Sequence, residues 1–256
     1  ASLPKGVDIL LGGPPCQGFS NANRQKANLI SGNNQLVQHY VRAIEELHPK
    51  IFVLENVKTL ESKKHFFFVT HANKNEIQRL NMRIKKEKIL LCGGGEVVEV
   101  IARLVDDINN ISKYRMSDIG YGALCTLLKN SRTRESSRSY ITKKFKRVQN
   151  LLDSWFVHHY EFWSSEWQNF YDCSKSSIER FILNDLDYSA YYKRLKMLVE
   201  IERTIERVHE LQTNDVSFEI KRLDNNIVAY VDTFTVADYL KHKFKELGYE
   251  TKKAIL

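Results

Sequence analysis

A chain of 256 residues has room for one large domain or two ordinary ones, each with a buried core. At 43% hydrophobic and 27% charged residues, with no apolar run of about 18, it reads as globular and offers no candidate membrane span. The formal charge of +8 suits a polyanionic partner, although a lysine-rich surface alone would give the same figure.

Four cysteines, Cys16, Cys92, Cys125 and Cys173, are too few and too scattered for a disulfide framework. None forms a CxxC pair, and no metal site is expected. With no secretory pattern either, the expectation is an intracellular protein. Ala1 leads almost at once into a strand-like run, which suggests a start inside a larger polypeptide.

In chain order, Val7-Asp8-Ile9-Leu10-Leu11 is a short apolar run stopped by Gly12-Gly13-Pro14-Pro15, the pattern of a buried strand feeding a loop. Phe19 to Asn34 is polar and reads as an exposed loop. From Gln35 to Leu47, residues Leu36, Val37, Tyr40, Val41, Ile44 and Leu47 fall on one helical face, which His48-Pro49 ends. Ile51 to Leu54 is a second apolar run, delivering Glu55-Asn56-Val57 at its end. Strand, loop, helix and strand in this order make a crossover unit, hence two parallel strands. Both polar clusters then fall at the carboxyl ends of those strands, where open parallel sheets bind ligands.

From about Glu61 to Asp224 glycine and proline are sparse, and Val97–Ile111, Phe145–Phe170 and Ser177–Leu211 read as helices. Between Lys129 and Arg147 eight cations face only Glu135, which is either a solvated surface or a phosphate-contacting one. Cys92-Gly-Gly-Gly95 lacks the context of a phosphate loop and reads as a turn. The aromatic residues from Trp155 to Tyr171 fit a helical core, and His158-His159 fit packing or surface positions. After Asp224 the α/β pattern returns. Thr235 and Asp238 resemble a capping box, a helix follows with Ala237, Leu240, Phe244 and Leu247 inward, and Gly248 stops it. Tyr249 to Leu256 reads as another strand.

The loop Gly12-Gly-Pro-Pro-Cys16-Gln-Gly-Phe-Ser20, followed by Glu55-Asn-Val57, closely resembles two motifs of the DNA (cytosine-5) methyltransferase family. Asn34-Gln-Leu36, Arg42 and Pro49-Lys50 also resemble it, as does Leu247-Gly-Tyr249 more weakly. The resemblance covers about residues 6 to 60 and 233 to 256. It implies an α/β fold: a partial Rossmann-like, S-adenosylmethionine-dependent methyltransferase core interrupted by a long, mainly α-helical insertion. The expected divisions are 1–60 for the catalytic-core segment, 61–224 for the insertion and 225–256 for the return to the core.

The resemblance also implies the chemistry. Carbon 5 of cytosine is too poor a nucleophile to take a methyl group from S-adenosylmethionine. A thiolate adding at carbon 6 makes carbon 5 enamine-like, and Cys16 is the residue that matches this covalent catalyst. Glu55 matches the carboxyl group that holds ring nitrogen 3 and the exocyclic amine. Gln17, Gly18, Ser20 and Asn56 match positions near the flipped base and the DNA, while Pro15 and Leu36 match cofactor-pocket positions. Partners implied are double-stranded DNA and, as a second chain, the remaining part of the methyltransferase. The family's Phe-x-Gly-x-Gly and Gln-x-Arg-x-Arg motifs are absent, so the expectation is a fragment or split subunit, inactive alone. Compartments consistent with this are a bacterial or phage-infected cytoplasm or a nucleus, with restriction–modification as one setting. Two other readings stand beside it: a tRNA cytosine-5 methyltransferase, which Gly18-Phe-Ser20 fits less well, and a catalytically inactive DNA-binding module.

Overall fold

In a computed structural model, residues 6–14, 32–55, 65–104, 108–154, 164–183 and 187–252 are described. The chain opens with β1 (Ile9–Gly12), α1 (Gly32–Leu47) and β2 (Ile51–Leu54), with β1 and β2 parallel in the register Ile9↔Ile51 to Gly12↔Leu54. The expected crossover unit is therefore present. Spacing explains α1: Val37, Val41 and Ile44 recur at helical intervals, and all three are buried. The helix stops at His48, whose φ of 47° leaves the helical region just before Pro49.

The two strands are not buried on both sides as their apolar runs suggested. Leu10, Phe52 and Leu54 turn toward the core, whereas Ile9, Leu11, Ile51 and Val53 are 58%, 72%, 58% and 50% exposed. Successive side chains of a strand point to opposite faces, so a continuous apolar run cannot tell which face is covered.

Next come β3 (Phe66–Phe68), α2 (His71–Arg79), β4 (Lys85–Gly93), α3 (Gly95–Leu104) and a 3-10 segment (Ile108–Tyr114). Five helices follow: α4 (Asp118–Asn130), α5 (Arg134–Lys143), α6 (Phe145–Ser154), α7 (Ser165–Ile182) and α8 (Tyr188–Thr213). The chain ends with β5 (Phe218–Leu223), β6 (Asn226–Thr235) and α9 (Val236–Glu246). In the second sheet β6 lies between β3 and β4 and also pairs with β5. The fold is thus mixed α/β, rich in helix, with small sheets.

Two compact units emerge, one of residues 1–89, 210–219 and 230–256, the other of residues 90–209 and 220–229. The core of the first joins Val37, Val41 and Ile44 of α1 with Phe67, Val69, Ile77, Leu80 and Met82, and with Phe234, Tyr239, Leu240 and Phe244. Helix α9 starts where Thr235 accepts a hydrogen bond from the Asp238 N–H at 3.1 Å, and ends before Gly248 at φ +83°. Tyr249 to Lys252 is not a strand: the Tyr249 hydroxyl instead donates to the Pro49 carbonyl at 2.5 Å.

In the second unit the helices are shorter than the apolar periodicity implied. Helix α3 ends at Leu104, and a 3-10 turn occupies 108–114. Helix α7 has its own start, with Ser164 accepting from the Trp167 N–H at 3.3 Å. Its core is aromatic as expected: Trp167, Phe170 and Tyr171 are buried, and Tyr114 stacks on Trp167 at 4.4 Å between ring centroids. His158-His159 lie outside the described residues. Cys92 to Gly95 holds the expected turn, at Gly94 with φ +108°, but it does join a strand to a helix, since β4 runs to Gly93 and α3 begins at Gly95.

Candidate active site

The carboxyl ends of β1 and β2 lie side by side. The Glu55 N–H donates to the Gly12 carbonyl at 2.9 Å, carrying the parallel ladder one step past the end of β2. The Glu55 carboxylate then turns against Gly13, where a Cβ would stand 2.9 Å from Oε2. Gly12 is tighter still: a Cβ there would overlap the Tyr40 ring. These two glycines thus make room for the protein's own side chains.

Tyr40 is the residue the sequence reading undervalued. It appeared there only as one member of an apolar helical face. In the fold its hydroxyl donates to the Val53 carbonyl at 2.8 Å and lies 3.4 Å from that of Leu10, fastening α1 across both strand ends. Burial pushes the Tyr40 phenol up to about 12, so it stays a protonated donor. Beneath it, Phe52 packs against Phe244 and Tyr249, with ring centroids 4.5 and 5.1 Å away. At the other end of the strands, Lys50 pairs with Asp8 at 2.7 Å. Nothing in the sequence names the carbonyls that Tyr40 meets.

Of the expected site residues, Glu55 is exposed at the end of β2, and Leu36 lies in the first turns of α1 at 36% exposure. Pro15, Cys16, Gln17, Gly18, Ser20 and Asn56 fall outside the described residues. Leu36 offers one apolar contact and no polar group for the ribose, amino or carboxylate ends of S-adenosylmethionine. The described residues therefore do not by themselves make a site for that cofactor.

Residues 1–87 match the family model for the C-5 cytosine-specific DNA methylase. The N-terminal part of the chain is thus similar to this family. A type II methyltransferase, M.XorII, of Xanthomonas oryzae pv. oryzae is 52% identical over 63 residues, covering 25% of this chain and 14% of that protein. DNA (cytosine-5)-methyltransferase 3 of Arabidopsis thaliana is 43% identical over 74 residues, 28% of this chain and 5% of the relative. Type II methyltransferase M1.HphI of Haemophilus parahaemolyticus is 36% identical over 101 residues, 39% of this chain and 26% of the relative. The chain thus spans well under a third of the length of these relatives. C-5 cytosine methylases take their methyl group from S-adenosylmethionine, and the tRNA reading finds no support among these relatives. No solved structure matches the chain significantly. Among the described residues no helix is long and apolar enough to cross a membrane.

The family match runs to residue 87, beyond the 60 residues over which the motifs are legible. The packing has the same reach, since Phe67, Val69, Ile77 and Met82 join the core that α1 begins.

Proposed function

We propose that this chain carries part of the catalytic core of a DNA (cytosine-5) methyltransferase, with Cys16 as nucleophile and Glu55 as the group that holds the base. The observation that carries the reading is Glu55 itself. Its carboxylate stands free to solvent at the carboxyl end of a parallel strand pair, next to the end of β1 that leads toward Cys16. In this reading the Cys16 thiolate adds to carbon 6 of a flipped cytosine and breaks the 5,6 double bond, leaving carbon 5 nucleophilic. Glu55 bonds ring nitrogen 3 and the exocyclic amine, which favours that addition and selects cytosine over thymine. Once carbon 5 bears the methyl group, loss of its proton restores the double bond and expels the Cys16 thiolate. Gln17, Gly18 and Ser20 contact the base and DNA backbone, Asn56 fixes the turn around Glu55, and Pro15 and Leu36 edge the cofactor pocket.

The same reading takes residues 1–60 and 225–256 as parts of one Rossmann-like core; the expected insertion of 61–224 then begins later, near residue 90, because residues 65–87 match the family and pack with α1. Among the described residues nothing covers the apolar face of Ile9, Leu11, Ile51 and Val53, which supports incompleteness, because parallel sheets are as a rule covered on both faces. The rest of the methyltransferase, as a second chain, would cover that face and bring the cofactor site, within the same intracellular compartment. Alone, the chain is then inactive.

The test is covalent trapping on duplex DNA containing 5-fluorocytosine, with S-adenosylmethionine and the complementary methylase half supplied. Fluorine cannot leave as a proton does, so the enzyme stalls as a denaturation-resistant adduct. The expected adduct is lost in Cys16→Ser and reduced at least tenfold in Glu55→Gln. An adduct that survives Cys16→Ser overturns the assignment of the nucleophile. Efficient methylation by the chain alone overturns its incompleteness.

A further inference from the structure

The strongest charge imbalance in the molecule lies in the helical unit, far along the chain from Cys16 and Glu55. Lys129, Arg132, Arg134, Arg138, Lys143, Lys144, Lys146 and Arg147 run from the end of α4 through α5 into the start of α6, with Glu135 as the single carboxylate. These three helices pack on one another. All eight cations but the half-buried Arg138 are exposed, and among the described residues none of the eight forms an ion pair. Other surface cations of the same unit do find carboxylates: Lys193 meets Glu96 at 2.9 Å, Lys175 meets Asp153 at 3.6 Å, and Arg222 meets Glu99. Eight cations with a single carboxylate among them, and no ion pair among the described residues, are set up for an external polyanion.

Two further features define the surface. Ser136, Ser139 and Thr142 are exposed on α5 among the cations, and hydroxyls of this kind bond phosphate oxygens beside arginine and lysine. A cavity of about 190 Å³ lies between α5, the α5–α6 junction and the end of α7, lined by Arg138, Ile141, Thr142, Phe145, Phe181 and Ile182. It brings Arg138 beside the junction that carries Lys143, Lys144 and Lys146. The Arg138 guanidinium rests over the Phe181 ring at 5.8 Å, which fixes its direction without neutralising it. The buried residues of α5, Ser137 and Ile141, face the unit's interior and its outward side is polar, while Phe145 at the α5–α6 junction stays 47% exposed between Lys144 and Lys146.

We propose that the α4–α5–α6 face is a second nucleic-acid contact, a sequence-independent seat for the phosphate backbone of duplex DNA. The choice of DNA among polyanions rests on the methyltransferase reading of the N-terminal segment; the charge and its exposure do not. The face adds affinity and registers the duplex, and it reads no bases.

The probe is a duplex of A·T pairs only, which holds no cytosine, so the fate of the Cys16 assignment leaves the result untouched. Binding to the full chain is measured against salt for the wild type and for Lys143→Gln/Lys144→Gln/Lys146→Gln/Arg147→Gln. A control removes the same charge from the other unit through exposed Lys86→Gln/Lys88→Gln/Lys241→Gln/Lys252→Gln. The first variant should lose at least about tenfold in affinity near 0.1 M salt, with a shallower dependence on salt, since each phosphate contact adds about 0.9 to the slope. The control should keep both affinity and slope, and circular dichroism should show both variants folded. Unchanged binding by the first variant overturns the proposal, as does an equal loss in the control. Tighter binding of A·U duplex RNA, or of phosphatidylserine vesicles, assigns the face to another partner and overturns it as well.

Discussion

The Tyr40 hydroxyl bonds the Val53 carbonyl at 2.8 Å over a glycine that leaves its ring no slack. Tyr40→Phe keeps the ring and removes the bond, leaving the exposed Val53 carbonyl to water. It should lower unfolding stability by about 1 kcal/mol in urea titration, with the m-value unchanged. Glu202 makes a second prediction. It is wholly buried on α8, accepts a hydrogen bond from the Met116 N–H at 3.3 Å, and burial pushes its carboxyl up to about 8. The folded state therefore holds this proton more tightly than the unfolded chain. Its contribution is full below about pH 4.5, is lost as pH rises toward 8, and is flat above. Glu202→Gln should flatten the fall in melting temperature between pH 5 and 9 and melt above the wild type at pH 9. A parallel fall in both proteins would place the effect on other groups.

At the level of elements, strand, helix and strand from Ile9 to Leu54 were legible because apolar spacing and the stops at Gly12 and His48-Pro49 agree. One-sided burial of the strands was not, since it depends on which neighbours the chain later supplies. Nor was the ring of charge that ties α9 to α1 and α2. Lys243, with a side chain only 4% exposed, meets Glu76 at 2.7 Å, Glu246 at 3.2 Å and Glu45 at 3.3 Å. In the sequence it is one lysine among several on α9, and only the fold sets three carboxylates round it. Lys243→Met takes the buried cation from Glu45, Glu76 and Glu246, of which the last two keep Arg79, and should cost about 3 kcal/mol in urea titration. Adding Glu45→Gln to Lys243→Met removes one of those carboxylates and should recover part of the loss in urea titration. No recovery would mean that lost packing dominates. The candidate site is read from short, contiguous motifs that need no tertiary contact; of its residues the fold places Glu55, at the end of β2, and Leu36, in α1.

For the whole molecule, the family match and the first core extend together to residues 87 and 89, past the last motif. Residues 65–82 carry no legible motif; the family match and their packing together place them with the first unit. The bare face of β1 and β2 gives a prediction at this scale. Leu11 and Val53 are 72% and 50% exposed, so Leu11→Thr with Val53→Thr should alter stability by only about 0.5 kcal/mol. If the rest of a methyltransferase covers that face, the same pair should weaken association with the complementary half at least tenfold by titration calorimetry. Undiminished association would place the joint elsewhere.

The contacts that close the first core also set an order of events during biosynthesis. Lys243 reaches Glu45 across 198 positions, and Tyr249 reaches Pro49 across 200. A ribosome adding about 5–20 residues per second needs on the order of 10–40 s to lengthen the chain by that much. Throughout that wait Val37, Val41, Ile44 and Phe52 have emerged without Phe244 to cover them. The nascent N-terminal segment is then a client for chaperones, while the helical unit, whose partners lie nearer in sequence, can fold ahead of it.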